Sequence, residues 1–385
     1  MIRKTLTLLF ILFSFVVFSQ KIIKKSLESD ILKTSRNIRI FTPEGYEKDN
    51  TKNYPLAIVL GDAYLFDIYV ANSVLFSNKD KAPKQIVVGI SMAETKAKDI
   101  SFHVKSGQLT ASAQNFYAFI RDEVLFYMES NYRTSLFVSL VGQGYSANLI
   151  THFLQENSGF INSFICINAN FSNFIREELE SYNLRKFGKK DNTFYFYSNN
   201  SSSFSAQKQV KINLIQTDLF GLEIKNFNVI NDVINTSSSI SAISEAVPRA
   251  LTKVFEIYSA ISKEEYDTNI KELTPTDAIY YLKNKYLEIE FLFGSNLGIR
   301  ERDIYAVENI IIEKENGDKL KDFGKMILKI YPSSPLGDYY IGRYYESSNM
   351  LKKAQKHYKF GYGKMNPSDP NADAFYENIL RVSGQ

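Results

Sequence analysis

The sequence predicts an α/β fold, a doubly wound and mostly parallel sheet, followed by a small all-α unit. Three observations carry that prediction. Short apolar runs, several without polar alternation, recur between Ile38 and Ile230, as strands covered on both faces require. Longer stretches with apolar residues at helical spacing lie between them, giving the alternation of strand and helix expected of a parallel sheet. After about Ser262 the strand-like runs largely stop and helical patterns alone continue.

Taken in order, the candidate strands are Ile38 to Phe41, Leu56 to Leu60, Ile86 to Ile90, Leu136 to Val141, Phe164 to Ile167, Phe194 to Tyr197 and Phe227 to Ile230. Candidate helices among them are Ala111 to Met128, Ala147 to Gln155, Phe174 to Tyr182 and Ile243 to Ile257. Then come Tyr280 to Phe293, Ala306 to Ile312, Asp322 to Ile330, Asp338 to Glu346 and Lys352 to Gly361. The last pair resembles one tetratricopeptide repeat, with Ile341, Gly342, Tyr345, Ala354, Tyr358 and Gly361 at its small and large positions and Pro367 closing it. The helix before it ends at Tyr331-Pro332, about one repeat period earlier, which allows a second, degenerate copy. A plain helical appendage is the alternative. Stacked helical hairpins present a concave surface suited to a protein partner. The expected domains are residues 1–19 as a leader, 20–262 as the α/β domain and 263–385 as the helical domain.

With 385 residues, 44% hydrophobic and 23% charged, the chain can build one large core and a smaller one. Those proportions exclude a disordered, collagenous or polytopic membrane protein. The formal charge is +4, from 46 Lys and Arg against 42 Asp and Glu, and Arg3 and Lys4 belong to the leader. A chain so close to neutral is not expected to bind nucleic acid or an acidic polymer. Cys166 is the only cysteine and sits in the apolar run Phe164-Ile165-Cys166-Ile167, so no intrachain disulfide or cysteine metal cluster can form. A buried structural thiol is expected. Only His103, His152 and His357 are present, and no spacing of N and O ligands suggests a metal site. No cofactor is expected.

At the N-terminus Arg3 and Lys4 precede the apolar run Leu6 to Phe18, and Val17-Phe18-Ser19-Gln20 offers compact residues where a signal peptidase reads. Cleavage between Ser19 and Gln20 would release the chain to the periplasm or beyond. The run is shorter than the roughly 20 apolar residues of a membrane span. An uncleaved anchor is the alternative, and the absence of a following cysteine excludes a lipid anchor.

Leu136 to Val141 is an apolar strand that leads through Gly142-Gln143-Gly144-Tyr145-Ser146 into an amphipathic helix. That is the layout of a nucleophile elbow, G-x-S-x-G, with small residues two positions either side of the apex because strand and helix backbones nearly touch. Gly142 and Ser146 meet that need, and the apex is Gly144. Four passages carry a wider match: Tyr54-Pro55 through Gly61-Asp62 to Phe66; Ile86-Val87-Val88-Gly89-Ile90 with Lys98-Asp99-Ile100-Ser101; Phe119 to Val124 through Tyr132-Arg133-Thr134; and Val247-Pro248-Arg249-Ala250-Leu251 to Phe255. Over roughly residues 37–258 the chain resembles the putative-esterase family of α/β-hydrolases, which contains esterase D and the ferric-enterobactin esterases.

The resemblance implies a Ser, acid and His triad, and carried over residue by residue it meets Gly144, Asn199 and Ser239. Serine needs an oriented imidazole to take its proton and a carboxylate to fix that imidazole, so three departures imply a site without hydrolysis. Glycine also suits the strained apex backbone at little steric cost. Gly61, Asp62, His103, Gln143, Tyr145 and Ser146 are the expected cleft-lining residues. Ser146 is expected to be a packing residue rather than a nucleophile, His152 a core or surface residue, and His357 a solvated one. Asn199 to Ser203 and Thr236 to Ser239 read as loops, with contact to a sugar or polar ligand as the sharper reading, and Arg185 to Lys190 reads as a solvated turn. The leading expectation is a secreted, non-catalytic binding or scaffolding protein. Its rivals are an active carboxyl-ester hydrolase with rearranged residues and a non-covalent receptor for a sugar or siderophore-like ligand.

Overall fold

The computed structural model describes residues 21–156, 160–294, 297–315, 317–366 and 368–384. The leader, residues 1–19, and Pro367 lie outside them. Two compact units form the chain: Met1–Glu256 with Leu292–Gly294, and Ile257–Phe291 with Ser295–Gln385.

The first unit is built on eight strands: β1 (Lys21–Ser29), β2 (Thr34–Thr42), β3 (Tyr54–Leu60), β4 (Ile86–Ile90), β5 (Thr134–Gln143), β6 (Ser163–Ile167), β7 (Phe194–Ser201) and β8 (Phe227–Ile234). Their order is β1-β2-β4-β3-β5-β6-β7-β8, antiparallel as far as β4 and parallel from there to β8. Every residue of β3, β4, β6 and β7 is buried, which explains why their sequences lack polar alternation. The order places β5 in the middle of the sheet, so its C-terminal end is where a functional turn is expected in an open α/β sheet.

The structure departs from the sequence reading in four places. Strand β1 has no apolar pattern because it is an exposed edge strand, and its lysines blunt that edge. β7 runs on to Ser201 instead of becoming a loop at Asn199, because it pairs with β8 as far as Ser201 and Ile234. Its polar side chains are buried but bonded: Gln216 donates to Ser198, and Asn200 donates to the Gln209 carbonyl and to Asn213. Two helices, Ala63–Asn78 and Ala206–Phe220, stand where no helix was expected. Finally, the change of unit falls at Glu256, and Leu292–Gly294 belongs to the first unit, since Phe293 packs on Phe137 and Phe255 at ring distances of 5.0 and 5.4 Å.

In the second unit, helices Pro275–Phe293, whose last two residues belong to the first unit, Glu301–Glu315, Leu320–Ile330, Pro335–Ser347, Leu351–Tyr362 and Ala372–Ser383 follow one another, the last unforeseen. Small residues let them approach: a side chain at Gly324 would collide with the Gly337 carbonyl, and one at Gly342 would stand 2.5 Å from the Tyr358 ring. Tyr340, Ala354 and Tyr358 are fully buried. His357, expected in solvent, is half-buried because Asp338 accepts from its Nδ1 at 2.9 Å while also accepting from Lys364 at 2.7 Å.

Candidate functional site

β5 ends in a sharp turn. Gly142 is paired with Leu60 on one side and Cys166 on the other, and a Cβ there would stand 2.6 Å from Ile150 Cδ1 and 2.8 Å from the Ser146 backbone. Gly144, at the apex, has φ 60° and ψ −122°, a region closed to residues with side chains except under strain. Its N–H donates to the Ile167 carbonyl at 3.1 Å, and its carbonyl accepts from Asn170 N–H at 3.0 Å. The helix Tyr145–Thr151 starts at once. A Cβ on Gly144 would meet only Asn170 Nδ2, at 3.5 Å, so the place of an apex side chain is open.

Around this turn Gln143 accepts from the Tyr64 hydroxyl at 2.8 Å, Asp62 accepts from Lys96 at 2.9 and 3.0 Å, and the Tyr145 ring lies 5.8 Å from Phe102. Phe102 opens the loop that holds His103, and the His103 side chain is exposed. Gly61 stands at the C-terminal end of β3. Ser146, expected among the cleft-lining residues, is instead fully buried, with its backbone against Gly142.

Asn199 and Ser239 are joined through one residue. Asn168, after β6, has φ 46°, its N–H donates to Asn199 Oδ1 at 2.8 Å, and its Oδ1 accepts from Asn199 Nδ2 at 2.8 Å. Asn168 Nδ2 donates to the Ser239 carbonyl at 2.9 Å. Ser239 is the first residue of the helix Ser239–Val254 rather than a loop residue before it, and the Ser238 hydroxyl caps that helix. Asn168, Asn170, Tyr64, Lys96 and Lys208 were not foreseen in the sequence. Asn168-Ala169-Asn170 directly after an apolar strand was a usable signal, because asparagine tolerates the left-handed region.

Beneath the elbow helix lies a buried polar group. His152 Nδ1 and the Tyr182 hydroxyl are 3.2 Å apart, and His152 Nε2 stands 3.8 Å from Glu178 Oε2. Burial lowers His152 to about 4. Burial raises Glu178 to about 7, with the Glu177 charge adding to the rise and Ser172 opposing it. Gly107, at φ 74°, is held against this carboxylate, since a side chain there would collide with Glu178 Oε1.

The two shifts act in opposite senses. The depressed His152 contributes stability that is present above its ordinary 6.5 and lost as pH falls through about 4. The raised Glu178 contributes stability that is present below its ordinary 4.5 and lost as pH rises through about 7. We therefore expect Glu178→Gln to gain on the unsubstituted chain as pH rises from 4.5 to 6.5, and His152→Asn to lose over the same range. Each slope should approach roughly 1.4 kcal/mol per pH unit. Urea unfolding across that range measures both, and parallel slopes would refute the assignment.

The central parallel sheet and the elbow at the end of β5 define an esterase-like α/β fold of the α/β-hydrolase type. Known structures share it. The chain is similar to an uncharacterised protein from Capnocytophaga ochracea DSM 7271, with 21% identity and a TM-score of 0.82 over 95% of this chain and 100% of that one. It is also similar to an IroE-like serine hydrolase from Shewanella oneidensis (19% identity, TM-score 0.57, 80% of this chain and 98% of that one). A third similar structure is the siderophore hydrolase EstB from Aspergillus nidulans (14% identity, TM-score 0.51, 63% of this chain and 97% of that one). No family model matches the chain, and no curated protein matches its sequence.

Proposed function

We propose that the chain is a secreted binding protein whose esterase-like unit takes a ligand at the elbow without hydrolysing it. The observation that carries this reading is Gly144, which keeps the apex conformation while presenting no nucleophile. Asn199 and Ser239 support it, because an amide and a hydroxyl cannot serve as the acid and base that activate a serine. Among the described residues His152 pairs with the Tyr182 hydroxyl and His357 with Asp338, neither of them with a serine. Secretion rests on the leader reading of residues 1–19, and the helical unit, read as tetratricopeptide-like, supplies a surface for a protein partner.

Purified protein lacking residues 1–19 is expected to hydrolyse p-nitrophenyl butyrate no faster than buffer and to form no fluorophosphonate adduct. Turnover abolished by altering a cleft residue such as Gln143 or Tyr145 would overturn the reading.

A further inference from the structure

We propose that the open space beside Gly144 takes a small organic carboxylate, with Lys208 and Lys211 as its cationic side; this rests on the binding reading above. The helix Ala206–Phe220 carries both lysines one turn apart, and both reach the segment that follows β6. Lys208 Nζ donates to the Asn168 carbonyl at 2.7 Å, and Lys211 Nζ donates to the Phe171 carbonyl at 3.2 Å and to Asn173 Oδ1 at 2.7 Å. Among the described residues neither ammonium has a carboxylate within 4.0 Å. Lys208 is half-buried against the Phe204 ring, and burial lowers it to about 8. A partly desolvated cation with no counter-ion is unfavourable, and a bound anion relieves it.

The same short segment leads to the elbow. Asn170, two residues beyond the carbonyl that Lys208 holds, donates its N–H to Gly144 and places its Nδ2 3.5 Å from where an apex side chain would begin. The missing side chain leaves room for a ligand atom, and the amide beside that room is a donor. A planar carboxylate offers two acceptor oxygens to this set of donors. A neutral ester of the same shape offers no charge to the ammonium groups.

Calorimetric titration of the protein lacking residues 1–19 with citrate, at low ionic strength, tests this. Citrate is expected to bind with a submillimolar Kd, and trimethyl citrate is expected to bind at least tenfold more weakly. Lys208→Gln, which can still donate to Asn168, should weaken citrate at least tenfold at unchanged Tm. Lys208→Arg should stay within about threefold, as should Lys189→Gln, exposed at the end of the short 3₁₀ helix Leu184–Lys189 that replaces the solvated turn expected at Arg185 to Lys190. No citrate binding, or equal binding by Lys208→Gln, overturns the proposal, and inorganic phosphate binding as tightly as citrate overturns the carboxylate class. Ester hydrolysis together with Lys208-dependent citrate binding would sink the non-catalytic reading and leave this site standing. Absence of both would do the reverse.

Discussion

Replacing Asp99 with alanine is expected to destabilise the first unit by about 4 kcal/mol, because it strands a buried guanidinium. Arg36 on β2 donates to both Asp99 oxygens, at 2.5 and 3.1 Å, and both side chains are nearly inaccessible. Thr95 adds a third bond to the carboxylate at 2.6 Å, and Arg36 also donates to Thr95 and to the Ser91 carbonyl. The Arg36→Met, Asp99→Leu double variant should lose much less, since exchanging both charges for apolar groups removes the desolvation cost with the attraction. Urea unfolding of the three variants closes the cycle, and a loss under 1 kcal/mol for Asp99→Ala would refute it. The pair also anchors the start of the loop that carries Phe102 onto Tyr145, so Asp99→Ala should loosen that ring contact as well.

Gly142→Val is expected to cost about 4 kcal/mol, at the severe end for single substitutions. The added atoms would press on the Ser146 backbone, which begins a helix and cannot step aside as a flexible side chain could. Gly144→Ser, two residues on, should cost only the backbone strain of its apex conformation, about 1–3 kcal/mol, because the neighbouring space is open. Thermal unfolding of both variants gives the comparison. A larger loss for Gly144→Ser than for Gly142→Val would mean that the apex space is filled and unavailable to a ligand. On the non-catalytic reading proposed above, Gly144→Ser is also expected to stay inactive on p-nitrophenyl butyrate, because a serine hydroxyl is a poor nucleophile without an oriented base.

Much of the fold was legible because the signals are local. Continuous apolar runs marked the central strands, and the small residues at Gly142 and Ser146 marked the turn at the end of β5. Where the local signal was absent the reading stopped short. β1 has no apolar face, and the buried polar tail of β7 resembles a loop until its partners Gln209, Asn213 and Gln216 are known. Ser146 is fully buried, and only its backbone contact with Gly142 shows which way that position faces.

The sequence by itself determined the α/β class, the run of helices that follows it, and the glycine at the elbow apex, all of them properties of neighbouring residues. Only the tertiary structure decided which distant residues meet. Asn168 meets Asn199 across 31 positions and Ser239 across 71, Lys208 reaches Asn168 across 40, and Arg36 finds Asp99 across 63. Periodicity reports which face of an element is buried. Which element covers that face, and so which charge goes without a partner, depends on contacts between distant segments that no local pattern encodes.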